Sequence, residues 1–366
     1  MNRRYDIDWL RVIAIGLLLV YHTAIAFQSW GFMLGFITND KPWESLWVPM
    51  AMINVWRIPL LFFISGMGVY FAMQKRNWKQ LLQDRAKRIL IPFVFGAFCI
   101  VPVQVFIAQR YYGQPINYIP NPAHLWFLGN IFIYVLLLLP VFYWLVQHEK
   151  GKLVGWIRKI LSNPLGLLIV MAAFISETVL VNPALYELYA MTWHGFFIGL
   201  LGFFSGFCFV LAGTSFSKML LKYRWLFLMI AIVLYVYRLL QVQMKAPNIA
   251  LAIESNCWIF SIFAFGYKYL NRPGKALCYL SSAAYPVYIT HMIFLYLGSL
   301  LLFPLETNVY IKFILVLIFT IGGCFAAYDF IIRRISITRI LFGLKSLAKH
   351  PDKKQMLHQK NLQKAS

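Results

Sequence analysis

Two arginines three residues apart, Arg85 and Arg88 in RNWKQLLQDRAKRILIP (76–92), and four histidines inside or at the ends of apolar runs, His22, His124, His194 and His291, are the residues of this chain best suited to chemistry. Residues three apart on a helix share a face, and two guanidiniums side by side suit a phosphate. The same pair also fits the gathering of basic residues on the cytoplasmic side of a membrane protein, and the residues alone weigh both readings evenly. Alongside the histidines, Arg57, Arg238, Glu177 and Glu254 also fall in apolar segments. Ionisable groups are expensive in hydrocarbon, so each is a functional candidate by default.

Ten apolar stretches must carry these residues: 9–29, 49–73, 89–109, 124–147, 164–182, 192–212, 225–244, 250–270, 276–300 and 310–332. Each is about 20 residues, enough to cross ~30 Å of hydrocarbon as a helix. With 61% hydrophobic residues, 13% charged residues and a mean hydropathy of +0.68, the chain reads as an all-α polytopic membrane protein. The boundaries at 182–192 and 244–250 are the least marked, since only Pro183 and KAPN interrupt the apolar tracts there.

A net charge of +22 raises the question of nucleic-acid binding, and the placement of the charges answers it. Of 34 Lys and Arg, 28 lie in the leader through Arg11, in alternate loops and after residue 332. That is the positive-inside pattern of ten spans with both termini cytoplasmic, so no nucleic-acid partner is expected. The reading is a membrane domain over 1–332 and a basic tail over 333–366 that lies solvated or against anionic lipid. TAIA at 23–26 imitates a signal-peptide cleavage site, but Asp6 and Asp8 in the leader and the later spans that depend on the first for orientation point to a retained first helix. The five cysteines show no paired spacing, and neither a disulfide nor a metal site is expected.

Depth along each span follows from the ~1.5 Å rise per residue. It places His22 about 20 Å past Trp9 and Arg57 roughly 12 Å below the opposite surface, at comparable depth. His124 and Trp126, Glu177, His194, Arg238, Glu254 and His291 also fall in the outer half of their spans. So much polarity in one leaflet asks for a water-accessible cavity opening outward. Near span ends, His124, His194 and Glu177 are also read as interfacial, and Arg238 and Glu254 as a buried pair that neutralises itself.

The segments DWLRVIAIGLLLVYH, RIPLLFFISGM, RAKRILIP, HLWFLGNIFIY and SSAAYPVYITH, in this order on a ten-span frame, resemble the integral-membrane acyltransferase family 3. The similarity is greatest to the glucan-biosynthesis protein C type, the succinyltransferases of periplasmic glucans. It implies a multi-pass enzyme of the bacterial inner membrane that moves an acyl group, succinyl or acetyl, from cytoplasmic acyl-CoA to a hydroxyl of an extracytoplasmic carbohydrate. By the same resemblance the family's first-span histidine is His22, its Asp-x-x-Arg motif is Asp8 and Arg11, its second-span arginine is Arg57 and its Arg-x-x-Arg is Arg85 and Arg88.

Acyl transfer to a hydroxyl needs a base and a positive or hydrogen-bonding group facing the developing oxyanion. The expected roles are His22 as general base or transient acyl carrier and Arg57 as oxyanion or acceptor ligand. Arg85 and Arg88 would hold coenzyme A phosphates, with Asp8 and Arg11 shaping that mouth. His124, Trp126, Arg238, Glu254 and His291 would line the substrate cavity. A carboxylate partner for His22 would come from Glu177 or Glu254. Outside this class, the alternative is a transporter or flippase for a polar solute, against which stand the lack of similarity between the two halves and the arginine pair.

Overall fold

The computed structural model describes residues 3–345. Ten long apolar helices, numbered here in chain order, run over Tyr5–Ile25, Glu44–Met73, Trp78–Tyr111, Ala123–Gln147, Pro164–Val181, Trp193–Ala212, Thr214–Leu239, Asn248–Tyr269, Lys275–Leu302 and Val309–Ile332. An even number of crossings brings both described ends to one face, which also carries the lysines and arginines of 74–88, 148–163 and 268–275. The chain is a polytopic helical membrane protein; a break separates spans at 182–192 as expected, and the one expected at 244–250 falls earlier, at 240–247.

The helices reach beyond the apolar runs where local chemistry extends them. The first begins at Tyr5 rather than residue 9, with Asp6 and Asp8 in its first turn, where the helix dipole favours negative charge. The third begins at Trp78 rather than 89, because the Asn77 side chain accepts from the Gln80 backbone N–H while the Gln80 side chain accepts from that of Asn77. The seventh runs over Thr214–Leu239, earlier than the 225–244 expected. Its first turns carry Lys218, Lys222 and Arg224, which mask the helix from a hydropathy reading.

Burial separates an inner set of helices from an outer one. The second and sixth spans bury 72% of their apolar windows, the seventh and tenth 22%. Without a hydrophobic force between helices in lipid, close association depends on small residues that let backbones approach. The sixth span supplies Gly195, Gly199, Gly202 and Gly206. A Cβ on Gly206 would strike the Phe63 carbonyl, and one on Gly66 of the second span would strike that of Phe203. The two helices therefore touch backbone to backbone along the stretch that follows Arg57.

Prolines shape the remaining helices by freeing carbonyls four residues back. Pro102 leaves the Phe98 carbonyl without its helical donor, and the Tyr118 hydroxyl takes it at 2.8 Å. Two wide π-turns, Ala86–Leu90 and Gly96–Ile100, interrupt the same span. The basic tail expected from 333 is docked as far as Lys345. Ser336–Leu341 forms a short helix, Phe342 packs edge-on to Phe95 at 5.5 Å, and Gly343, at φ +71°, passes over the Arg88 carbonyl and the Tyr285 ring. The tail over 346–366 lies outside the described residues.

Substituting Gly206→Val should lower the thermal stability of the detergent-solubilised protein by about 1–3 kcal/mol or more, the cost of overpacking a close contact. Gly16→Ala, whose Cβ meets nothing within 4 Å, should leave stability unchanged or raise it by about 0.5–1 kcal/mol. Thermal unfolding followed by size-exclusion fluorescence reads both.

Candidate active site

His22 lies three residues before the end of the first span, His291 in the middle of the ninth, and His124 in the short turn Ala123–Leu125 that opens the fourth. Packing of the first span on the ninth brings Nδ1 of His22 to 2.7 Å from Nε2 of His291, the rings stacked at 5.0 Å. The His124 ring meets His291 edge-on, also at 5.0 Å. His124 is held by two contacts to the ninth span: the Tyr288 hydroxyl donates to its carbonyl, and its Nε2 lies 3.2 Å from the Ile289 carbonyl. Ala123 just before it adopts φ +36°, a conformation that strains a residue with a side chain.

Backbone carbonyls fix the proton positions, because a carbonyl only accepts. His291 Nδ1 lies 2.7 Å from the Tyr288 carbonyl, so Nδ1 carries the proton and Nε2 is the acceptor. His22 must then donate from Nδ1, which leaves the lone pair on its Nε2. By the same logic His124 donates from Nε2 to Ile289, and its Nδ1 is a buried acceptor without a partner. The nitrogens are thus committed in different directions, and among the described residues no set of three His, Cys, Asp or Glu is placed to hold a metal ion.

Arg57 reaches this cluster from the second span. Pro59 two residues on frees the Val55 carbonyl, which accepts from the Tyr189 hydroxyl at 2.9 Å and the Ser255 hydroxyl at 2.8 Å. The guanidinium is fully buried and stacks 4.0 Å over the ring of Tyr21, the neighbour of His22. Among the described residues it pairs with no carboxylate, and its Nε and Nη1 have no hydrogen-bond partner. A buried cation without a counterion is costly, and this one leaves donors available to an oxyanion or anionic ligand.

A cavity of about 580 Å³ opens on the basic face, opposite the side on which the outer-half histidines led us to expect one. Arg11, Arg85, Arg88, Arg339 and Lys345 stand at its mouth, and among the described residues no carboxylate lines it. Arg85 donates from Nη2 to the Gly68 carbonyl at 3.2 Å, while its Nε and the Tyr285 hydroxyl, both lining the cavity, are buried without partners. Arg88 is braced by Asp84 at 2.9 Å and Arg11 sits 3.6 Å from Asp8. The walls deeper in are Leu61, Ile64, Leu128 and Ile131, and the inner end reaches Phe127 and Tyr288. Tyr288 is one ring from the histidines, 5.8 Å from His124 and 6.1 Å from His291 between centroids.

Residues 4–329 match the model of the family 3 acyltransferase domain. The chain belongs to that family. No curated protein and no solved structure matches it.

For this membrane acyltransferase the structure sorts the residues singled out in the sequence into two groups. His22, His291 and His124 meet in one cluster with Arg57 beside it, and Arg11, Arg85 and Arg88 share one cavity. Arg238 and Glu254 lie elsewhere: Arg238 bonds Glu254 at 3.0 Å, Glu187 at 2.9 Å and the Ala51 carbonyl at 3.1 Å. Trp126 is buried edge-on against Phe62. None of His124, Trp126, Arg238, Glu254 and His291 lines the basic-face cavity. The partner of His22 is an imidazole rather than a carboxylate, because Glu177 holds His194 at 3.0 Å and Glu254 holds Arg238. Tyr288, Tyr285, Arg339 and Lys345 were not singled out, although Tyr285 and Tyr288 stand in the same SSAAYPVYITH segment as His291.

Nitrogen NMR of protein labelled at histidine should show His22 protonated at Nδ1, and His291→Ala should convert it to a mixture of tautomers. A His22 signal protonated at Nε2 in the unsubstituted protein would reverse the polarity of the chain.

Proposed function

We propose that this acyltransferase takes a succinyl or acetyl group from acyl-CoA entering from the cytoplasm and passes it to a hydroxyl of an extracytoplasmic carbohydrate, such as a periplasmic glucan, across the bacterial inner membrane. The observation that supports this reading is a single cavity that joins a cationic mouth to a wall one ring away from the His22–His291 pair. By the positive-inside rule the basic face is cytoplasmic.

Arg11, Arg85 and Arg88 hold the phosphates, with Asp8 orienting Arg11. The pantetheine arm runs along Leu61, Ile64 and Ile131, and the thioester reaches the histidines by displacing Tyr288 and Phe127. The acceptor oxygen attacks the thioester carbon while its proton passes to Nε2 of His22, the atom that the hydrogen bonding leaves with a lone pair. His291 steadies the resulting imidazolium by accepting at Nε2 from His22 Nδ1, as its own proton stays on Nδ1, donated to the Tyr288 carbonyl. The oxyanion faces the free donors of Arg57. Collapse breaks the C–S bond, and the proton on His22 moves to the thiolate, giving an ester and free coenzyme A. A transient acyl group carried by His22 would form at the same nitrogen.

Purified protein in detergent should bind acyl-CoA, and Arg85→Ala with Arg88→Ala should weaken that binding at least 10-fold. His22→Ala should still bind but lose about 10²–10⁴ in turnover, the range of a general base. Absence of any acyl-CoA binding by the unsubstituted protein would remove the enzymatic reading and direct attention to solute transport.

A further inference from the structure

The cavity mouth holds two cations that come from outside the span of the family match. That match ends at 329, whereas Arg339 and Lys345 belong to the segment that crosses back over the basic face after the tenth span. Two contacts dock this strap and a third folds it. Phe342 buries its ring against Phe95 of the third span. Gly343 takes a left-handed φ of +71°, which lets the chain press on the Arg88 carbonyl, the group that Pro92 deprives of its helical donor, and on the Tyr285 ring. Arg339 closes the turn with Nε on the Lys345 carbonyl at 2.7 Å and Nη1 on the Arg333 carbonyl at 2.9 Å. A bent, glycine-dependent segment that brings two more cations to three already lining one cavity raises their mutual repulsion, and a polyanionic ligand relieves it.

The cations stand at different depths. Arg85 and Arg339 are both half-buried, Arg85 with its Nε out of contact with solvent, and Lys345 is exposed at the rim. Resting on the acyl-CoA reading above, with the acyl arm pointing inward to the histidines, the nucleotide end of the donor occupies the rim and its ribose phosphate is the outermost group. We propose that the strap is the part of the donor site that recognises the 3′-phosphate of coenzyme A, through Lys345 and Arg339, and that Arg11, Arg85 and Arg88 hold the pyrophosphate. The strap thereby selects coenzyme A thioesters over carriers that end in phosphopantetheine or lack the 3′-phosphate.

Calorimetry with the full chain in detergent, using coenzyme A and 3′-dephospho-coenzyme A as ligands, forms a double-mutant cycle between the phosphate and the strap. The unsubstituted protein should bind coenzyme A at least 10-fold more tightly than the dephospho form. Lys345→Ala, at an exposed position, should reduce that preference several-fold, and Lys345→Glu should abolish it, with coenzyme A binding weakened more than dephospho-coenzyme A binding. Lys345→Arg should retain the preference, which separates loss of charge from loss of fold. If the preference survives in both Lys345→Ala and Lys345→Glu, or is absent from the unsubstituted protein while coenzyme A still binds, the strap proposal falls and the donor reading stands. If the unsubstituted protein binds neither ligand, both fall.

Discussion

A hydrocarbon environment supplies no hydrogen bonds, so every polar atom that a span carries into it must find a partner in the protein. The fold meets that requirement at several groups that helix geometry would leave open. The carbonyl freed by Pro59 receives two hydroxyls, the one freed by Pro102 receives Tyr118, and Glu177, His194 and the Tyr186 carbonyl close on one another. Fourteen buried side-chain atoms among the described residues lack a partner, and five of them, Arg57 Nε and Nη1, His124 Nδ1, Arg85 Nε and the Tyr285 hydroxyl, lie at the histidine cluster and the cavity below it. Where a protein in lipid leaves strong donors and acceptors open, a ligand is the partner that restores the balance.

The glycines of the second and sixth spans set the distances on which this site depends. Backbone contact at Gly66 and Gly206 locks the stretch of the second span that follows Arg57, and the Pro59 bend, held by Tyr189 and Ser255, fixes the turn that carries it. Arg57 can thus lie against Tyr21 without a counterion of its own, because its helix cannot slide to find one. Buried Arg238 and Glu254, with half-buried Glu187, belong to the same scaffold, since Arg238 also bonds the Ala51 carbonyl of the second span.

Hydropathy and charge alternation are properties of single segments, and so the ten spans and the basic face were legible in the sequence. His22 and Arg57 were legible as well, since an ionisable group in an apolar run stands out by composition alone. Partnership was not. His22 and His291 are 269 residues apart, and no local pattern says that the first span packs on the ninth. Glu177 and Glu254 were reasonable partners by depth, but depth fixes one coordinate and leaves the angle around the bundle free. Trp126 shows the same limit: its depth suited the lining of an outer cavity, and depth alone does not say that its ring packs edge-on against Phe62. The strap was hidden for a different reason, because a run rich in lysine and arginine after the last span reads as a solvated tail unless the single glycine at 343 and the apolar Phe342 are recognised as its anchors.

The distribution of charge at the mouth ties these strands together. Asp8 and Asp84 offset Arg11 and Arg88, but from behind, since neither carboxylate lines the cavity. Asp84 holds Arg88 in place at 2.9 Å, while Asp8, itself bonded to Arg3 at 2.8 Å, offsets the charge of Arg11 from 3.6 Å, and neither covers the faces presented inward. Had the acidic partners been inside the cavity, the cations would be satisfied and the site closed to an anion. Placing them behind keeps the cavity electropositive, and the narrowing apolar walls toward Phe127 and Tyr288 then favour a ligand whose charge lies at one end and whose other end is long and weakly polar. That asymmetry, and not the net charge of the chain, connects the basic face to the histidines.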